Sequence, residues 1–155
     1  MDRWLKGATC LLVLASVALL ASTFRRDAGG DRFHIADLET LPVVNLEGGR
    51  NTLGEVLGGQ NHFRLFVELS NCDTCIYKGL NDLSALQKAG HPCTIFVIHD
   101  YQEEVHSWSV HAKGIPVYRV ARDDFYVNVD ATTLPVLCTF AENQIKKFRV
   151  ITLAQ

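Results

Sequence analysis

The chain has 155 residues, a formal net charge of −2, 48% hydrophobic and 21% charged residues, and five cysteines. That length holds one domain with a modest core, and the composition excludes a wholly disordered chain. A slightly acidic balance without a long basic block argues against nucleic acid as the main partner, and so few cysteines exclude a disulfide-scaffold mini-protein.

Arg3 and Lys6 precede a charge-free run from Gly7 to Thr23, which Arg25, Arg26 and Asp27 close. The run is near the lower length limit for a membrane-spanning helix. Ala21-Ser22-Thr23 offers small residues for signal cleavage, but Phe24-Arg25-Arg26 is a poor start for a mature chain. Cys10 stands early in the run and not after it, unlike the cysteine of a lipoprotein signal. Residues 1–26 are therefore expected to be a signal anchor that holds the protein in the membrane. The alternative is a cleaved signal peptide and a secreted product. Both put the remaining chain outside the cytoplasm.

Residues 27–36, with Gly29-Gly30, read as a linker, and 37–155 as the folded domain. Leu41 to Leu46 alternates weakly and runs into Glu47-Gly48-Gly49-Arg50, a hairpin-like turn. Leu53, Val56 and Leu57 predict a short helical turn. A strand is expected at His62 to Leu69, followed by a helix to about Ala89 with Ile76, Leu80, Leu83 and Leu86 on one face. Gly90-His91-Pro92 stops it, and Cys93 to Ile98 is an apolar run suited to a strand buried on both faces. Tyr101 to Lys113 predicts another helix, Val117 to Val120 a short strand, and Phe125 to Asp130 no clear element. Leu134 to Phe140 reads as a strand entered at a proline, Ala141 to Gln144 as a turn, and Ile145 to Leu153 as a final antiparallel strand. Strands alternating with helices give an α/β domain with a parallel centre.

The chemistry concentrates where the first long strand meets its helix. Cys72-Asp73-Thr74-Cys75 places two cysteines in the first helical turn, where unpaired N–H groups and the helix dipole favour a thiolate. A Cys-x-x-Cys pair after a strand and opening a helix is a redox signal. Cys72, the more exposed, would attack a disulfide, and Cys75 would resolve the mixed disulfide. The competing reading, half of a zinc site completed by His91 and Cys93, lacks a second Cys-x-x-Cys. Glu68 is a carboxylate in an apolar strand four residues before Cys72. It reads equally as a proton carrier for thiol exchange or as an ion-pair partner of Arg64 or Lys78. Cys93 and Cys138 read as core residues, a disulfide between them being the sharper alternative. His106 and His111, five residues apart, do not match metal spacing on a helix, and Val105, Trp108 and Val110 read as a packing face.

Strand, Cys72-x-x-Cys75, helix, strand, helix, then Thr132-Thr133-Leu134-Pro135 leading into a strand, resembles the thioredoxin fold. Leu41 to Leu57 is similar to the extra N-terminal hairpin of the redoxin branch, which includes membrane-anchored periplasmic thiol–disulfide oxidoreductases of the cytochrome c maturation type. The resemblance covers about Asp37 to the C-terminus. It implies Cys72 as nucleophile, Cys75 as resolving cysteine, and Pro135 as the cis-proline that faces them. It further implies protein disulfide or dithiol substrates, a redox partner, and no organic cofactor beyond the Cys72–Cys75 redox pair. The sequence departs from the pattern at Asn71, where the family usually has Trp, and at Asp73-Thr74, where it often has Pro. An anionic Asp73 would oppose the Cys72 thiolate, so the pair is expected to act as a reductant and not as a strong oxidant. Two further readings are a peroxiredoxin-like peroxidase, lacking its Pro-x-x-x-Thr-x-x-Cys context before Cys72, and a copper- or zinc-binding metallochaperone, whose usual spacing is Cys-x-x-x-Cys.

Overall fold

The computed structural model describes residues 32–37, 40–58, 62–141 and 144–152, so the expected membrane segment at 1–26 lies outside the described residues. Among the described residues no helix is long and apolar enough to cross a membrane. The elements run β1 (Phe33–Ile35), β2 (Pro42–Asn45), β3 (Arg50–Thr52), α1 (Leu53–Leu57), β4 (His62–Glu68), α2 (Asp73–Lys88), β5 (Cys93–Ile98) and α3 (Gln102–Trp108). A 3₁₀ turn (Ser109–Ala112), β6 (Val117–Val120), α4 (Arg122–Asn128), β7 (Val129–Ala131), β8 (Val136–Ala141) and β9 (Gln144–Val150) complete them.

Seven strands form one mixed sheet in the order β3-β2-β6-β5-β4-β8-β9. Its centre is parallel: β4 pairs with β5 from Phe63↔Cys93 to Glu68↔Ile98, and β5 with β6 from Ile95↔Val117 to Ile98↔Val120. The flanking pairs are antiparallel, β4 with β8 on one side and β6 with β2 on the other. The central strand β5 is buried at all six positions, as a both-faces strand requires.

Strand alternation divides the core in two. Leu65, Val67, Ile95 and Val97 pack under α2 and α3 with Ile76, Leu80, Leu83 and Val105. Phe66, Phe96, Ile98, Val136 and Phe140 face the opposite layer, built from Phe33, Ile35, Leu53, Leu57 and Phe125. Phe66 is the hub of that layer, with the rings of Phe33 and Phe96 at 5.0 Å, Phe125 at 6.2 Å and Phe140 at 6.4 Å. The helix α2 approaches the sheet closely at Gly79, where an added Cβ would sit 2.9 Å from a Leu65 methyl.

The structure departs from these expectations in several places. The folded unit begins at Arg32 and not at 37, because β1 pairs with β7 and buries Phe33 and Ile35. The ambiguous stretch from Phe125 divides between α4 and β7. The helix expected over 101–113 is α only as far as Trp108, and a 3₁₀ turn closes it before Lys113 and Gly114 turn left-handed. Val110, read as part of its packing face, is 75% exposed.

Candidate functional site

The end of β4 delivers the chain into the turn Leu69–Asn71, and α2 starts directly after Cys72. Cys72 occupies the N-cap position and is exposed, and Cys75, one turn into the helix, is half-buried; both stand as thiols. The Cys72 backbone carbonyl accepts the Ile76 N–H at 3.1 Å. No side-chain capping bond closes this helix end, which leaves first-turn N–H groups without a side-chain cap. Hydrogen bonding from Cys75, first through its thiol and then through its amide, holds the Cys72 thiol below its ordinary value, and the Thr74 amide and hydroxyl act in the same direction.

Asp73 is not among the groups that move Cys72, so the expected opposition from that carboxylate gives way to the hydrogen bonds of Cys75 and Thr74. The Cys72 thiolate is favoured in the folded state, so alkylation by iodoacetamide should reach half its maximal rate at a lower pH than for an ordinary thiol. Cys75→Ala should raise that midpoint, Thr74→Val should raise it less, and Asp73→Asn should leave it in place. An Asp73→Asn midpoint well below that of the parent protein would restore the carboxylate as the controlling group.

The peptide bond between Leu134 and Pro135 is cis. Asn71 donates from Nδ2 to the Leu134 carbonyl at 3.3 Å, joining the residue before Cys72 to the residue before the cis-proline. Asn71 thus ties the two loops together by an amide hydrogen bond. On its other side the proline loop is fixed by Arg32, whose N–H donates to Thr132 Oγ1 at 2.9 Å and whose carbonyl accepts the Thr132 N–H at 3.0 Å.

Glu68 has partners other than the ones expected. Arg64 is fully buried on the sheet, bonded to His62 and to the Phe63 carbonyl, and Lys78 donates to the Thr152 carbonyl. The Glu68 carboxylate instead meets α4: Arg122 Nε lies 3.0 Å from Oε1, and the Tyr126 hydroxyl donates to Oε2 at 2.8 Å. Its side chain is only 12% exposed, and burial together with that bond pushes Tyr126 up to about 12. Glu68, Asn71, Tyr126 and Thr132–Leu134 line a cleft of about 230 Å³ beside the proline loop. Sequence reasoning missed Arg122 and Tyr126, because α4 buries Phe125 alone and shows no periodicity. A doubly held carboxylate fits the ion-pair reading. Glu68→Gln should therefore slow thiol exchange by a similar factor at every pH, measured from pH 6 to 10, whereas a proton carrier would show a larger loss at neutral pH.

Cys93 and Cys138 stay apart: β4 lies between their strands, and they belong to opposite core layers. Burial pushes both thiols up. Among the described residues no cluster of three or more His, Cys, Asp or Glu side chains could hold a metal ion.

A parallel β4–β5–β6 centre, a Cys-x-x-Cys pair opening the helix after β4, and a cis-proline loop facing it settle the architecture. The fold is thioredoxin-like. No protein-family model matches the sequence, nor does any curated protein. Among solved structures, the chain is similar to the thioredoxin domain of a thiol-disulfide oxidoreductase from Bacteroides vulgatus, with 13% identity and a TM-score of 0.57 over 77% of this chain and 90% of that one. It is similar to copper-bound ScoI from Arabidopsis thaliana, with 14% identity and a TM-score of 0.56 over 76% and 88% of the two chains. A thiol peroxidase from Chromobacterium violaceum matches at 12% identity and a TM-score of 0.52 over 76% of each chain. At these identities the likeness speaks for the thioredoxin-like fold and leaves the activity to the site.

Proposed function

We propose that this protein is a thiol–disulfide oxidoreductase that exchanges disulfides with protein substrates through Cys72 and Cys75. The observation that carries the proposal is the exposed Cys72 sulfur at the start of α2, held towards the thiolate by Cys75 and Thr74 beside the cis-Pro135 loop. The Cys72 thiolate attacks one sulfur of a substrate disulfide, forms a mixed disulfide and expels the other sulfur as a thiolate. Cys75, deprotonated, then attacks Cys72 and releases the second substrate thiol. Two electrons pass to the substrate, and the protein is left with a Cys72–Cys75 disulfide that an external dithiol partner must reduce. Pro135 and the Leu134 backbone bound the site at which the substrate chain is presented. Glu68 ties α4 to the end of β4 beside this loop.

The reductant expectation rests on Asp73. With Cys72 stabilised as thiolate by its neighbours, the reduced dithiol gains, which moves the pair towards the oxidising side. Titration against glutathione buffers measures where it falls. The anchor at 1–26 and a place for the domain outside the cytoplasm are part of the same proposal, supported by the charge-free run from Gly7 to Thr23.

A Cys75→Ser variant tests the chemistry, because it performs the first step and cannot complete the second. It should accumulate mixed disulfides at Cys72 that thiol reductants release. Failure to accumulate any, together with an unaltered Cys72→Ser strain, overturns the redox reading. Stoichiometric copper or zinc in the purified protein would favour metal binding instead.

A further inference from the structure

Strands β4, β5 and β6 are parallel, and each is followed by a helix, so α2, α3 and α4 all begin at one edge of the sheet. The acids of their first turns, Asp73 from α2, Glu103 and Glu104 from α3, and Asp123 and Asp124 from α4, therefore gather on the edge that carries Cys72. First-turn acids stabilise helices, which accounts for them one by one and not for what lies between two of them. Leu69, Glu103, Glu104, Ser107 and Trp108 line a wide, shallow depression in the surface. Its lining is mostly apolar. From Trp108 an aromatic row continues over the surface to His111, with ring centres 6.3 Å apart, and on to Tyr77 of α2 at 5.5 Å, edge-on. Tyr77 is 47% exposed. Leu69 is three residues before Cys72, so the Cα atoms of the two lie at most roughly 11 Å apart.

Glu104 spends one oxygen on His99 Nε2 at 3.0 Å, and Glu103 is exposed with no ion-pair partner among the described residues. An apolar surface beside two exposed carboxylates, of which Glu103 has no ion-pair partner among the described residues, is complementary to one kind of side-chain sequence. We propose that this depression docks an extended segment of the substrate protein in which an apolar side chain stands next to a lysine or arginine close to the reacting cysteine. This deepens the proposed exchange function and rests on it: the apolar side chain lies on Leu69 and Trp108, the cation meets Glu103 and Glu104, and the segment's sulfur reaches Cys72.

The test uses full-length protein and two synthetic peptides, each with one cysteine as a mixed disulfide, flanked by Leu-Lys in one and Leu-Glu in the other. Neutral bis(2-hydroxyethyl) disulfide is the control. The parent protein should exchange about tenfold faster with the Leu-Lys peptide than with the Leu-Glu peptide at low salt, and the preference should shrink in high salt. Glu103→Gln/Glu104→Gln should erase the preference and leave the rate with the neutral disulfide unchanged. Glu103→Lys, a single change at an exposed position, should favour the Leu-Glu peptide. A parent protein without preference, or a preference the variants keep, overturns the proposal. Loss of reaction with the neutral disulfide as well would mean that the redox reading itself fails. Docking is then read separately, from Trp108 fluorescence in a Trp4→Phe background with the cysteine of the Leu-Lys peptide changed to serine. Binding that Glu103→Gln/Glu104→Gln weakens sustains the docking site without the chemistry. No binding, or a dimer of the protein whose dissociation alone exposes the depression, overturns it.

Discussion

Cys72→Ser is expected to lower the rate of disulfide exchange by more than about 10³-fold, the scale on which removing a nucleophile acts. A serine hydroxyl at the same N-cap position keeps the geometry and remains protonated, so it supplies no attacking anion. Cys75→Ser should behave differently. It retains the attacking sulfur and loses only the step that frees it, so a single turnover proceeds and then stops. Insulin reduction followed over many turnovers separates the two: both variants fail, but only Cys75→Ser shows an initial burst of mixed disulfide. A Cys72→Ser protein that retained a tenth of the parent rate would move the reacting sulfur elsewhere. The other described cysteines are poor substitutes, because Cys93 and Cys138 are buried and their thiols are pushed up.

Phe66→Ala should have the largest effect on stability. Phe66 is fully buried and touches four other phenylalanine rings, so truncation removes its own transfer energy and leaves a cavity among rigid neighbours. Such changes cost about 3–5 kcal/mol, against a total of about 5–15 kcal/mol for a domain. A fall in Tm of roughly 10 °C or more should follow, measured by thermal unfolding. The loss should leave the alkylation behaviour of Cys72 in the still-folded protein unchanged, because Phe66 lies under the layer opposite α2. A drop of only a few degrees would mean that the ring cluster collapses to fill the space.

The parts of this fold that could be read from the chain are those whose signal is local. The six apolar residues of β5, the stepped leucines of α2 and the cysteines at its start each carry their pattern within one element. Pro135 could be placed because it opens a strand and follows two threonines. What escaped is short or depends on distant residues. Three residues of β1 cannot display a period of two, and their place is fixed by pairing with β7, from Phe33↔Ala131 to Ile35↔Val129. Asn71 looked like a loss of the usual Trp, and its hydrogen bond to the Leu134 carbonyl spans 63 residues. Glu68 was legible as a carboxylate out of place; its partners, on a helix with one buried residue, were not.

The bonds between Arg32 and Thr132 link positions 100 residues apart and sit three residues from Pro135. They extend the β1–β7 ladder into the proline loop. Deleting the first strand would leave β7 with an unpaired edge and return to the loop the backbone freedom that the ladder removes, on the order of 1–2 kcal/mol for each residue released. The loop's order is thus an entropic debt settled by the N-terminal strand, and the preorganisation of the substrate-facing side of the site is a property of the chain entering the domain as much as of the residues beside the cysteines.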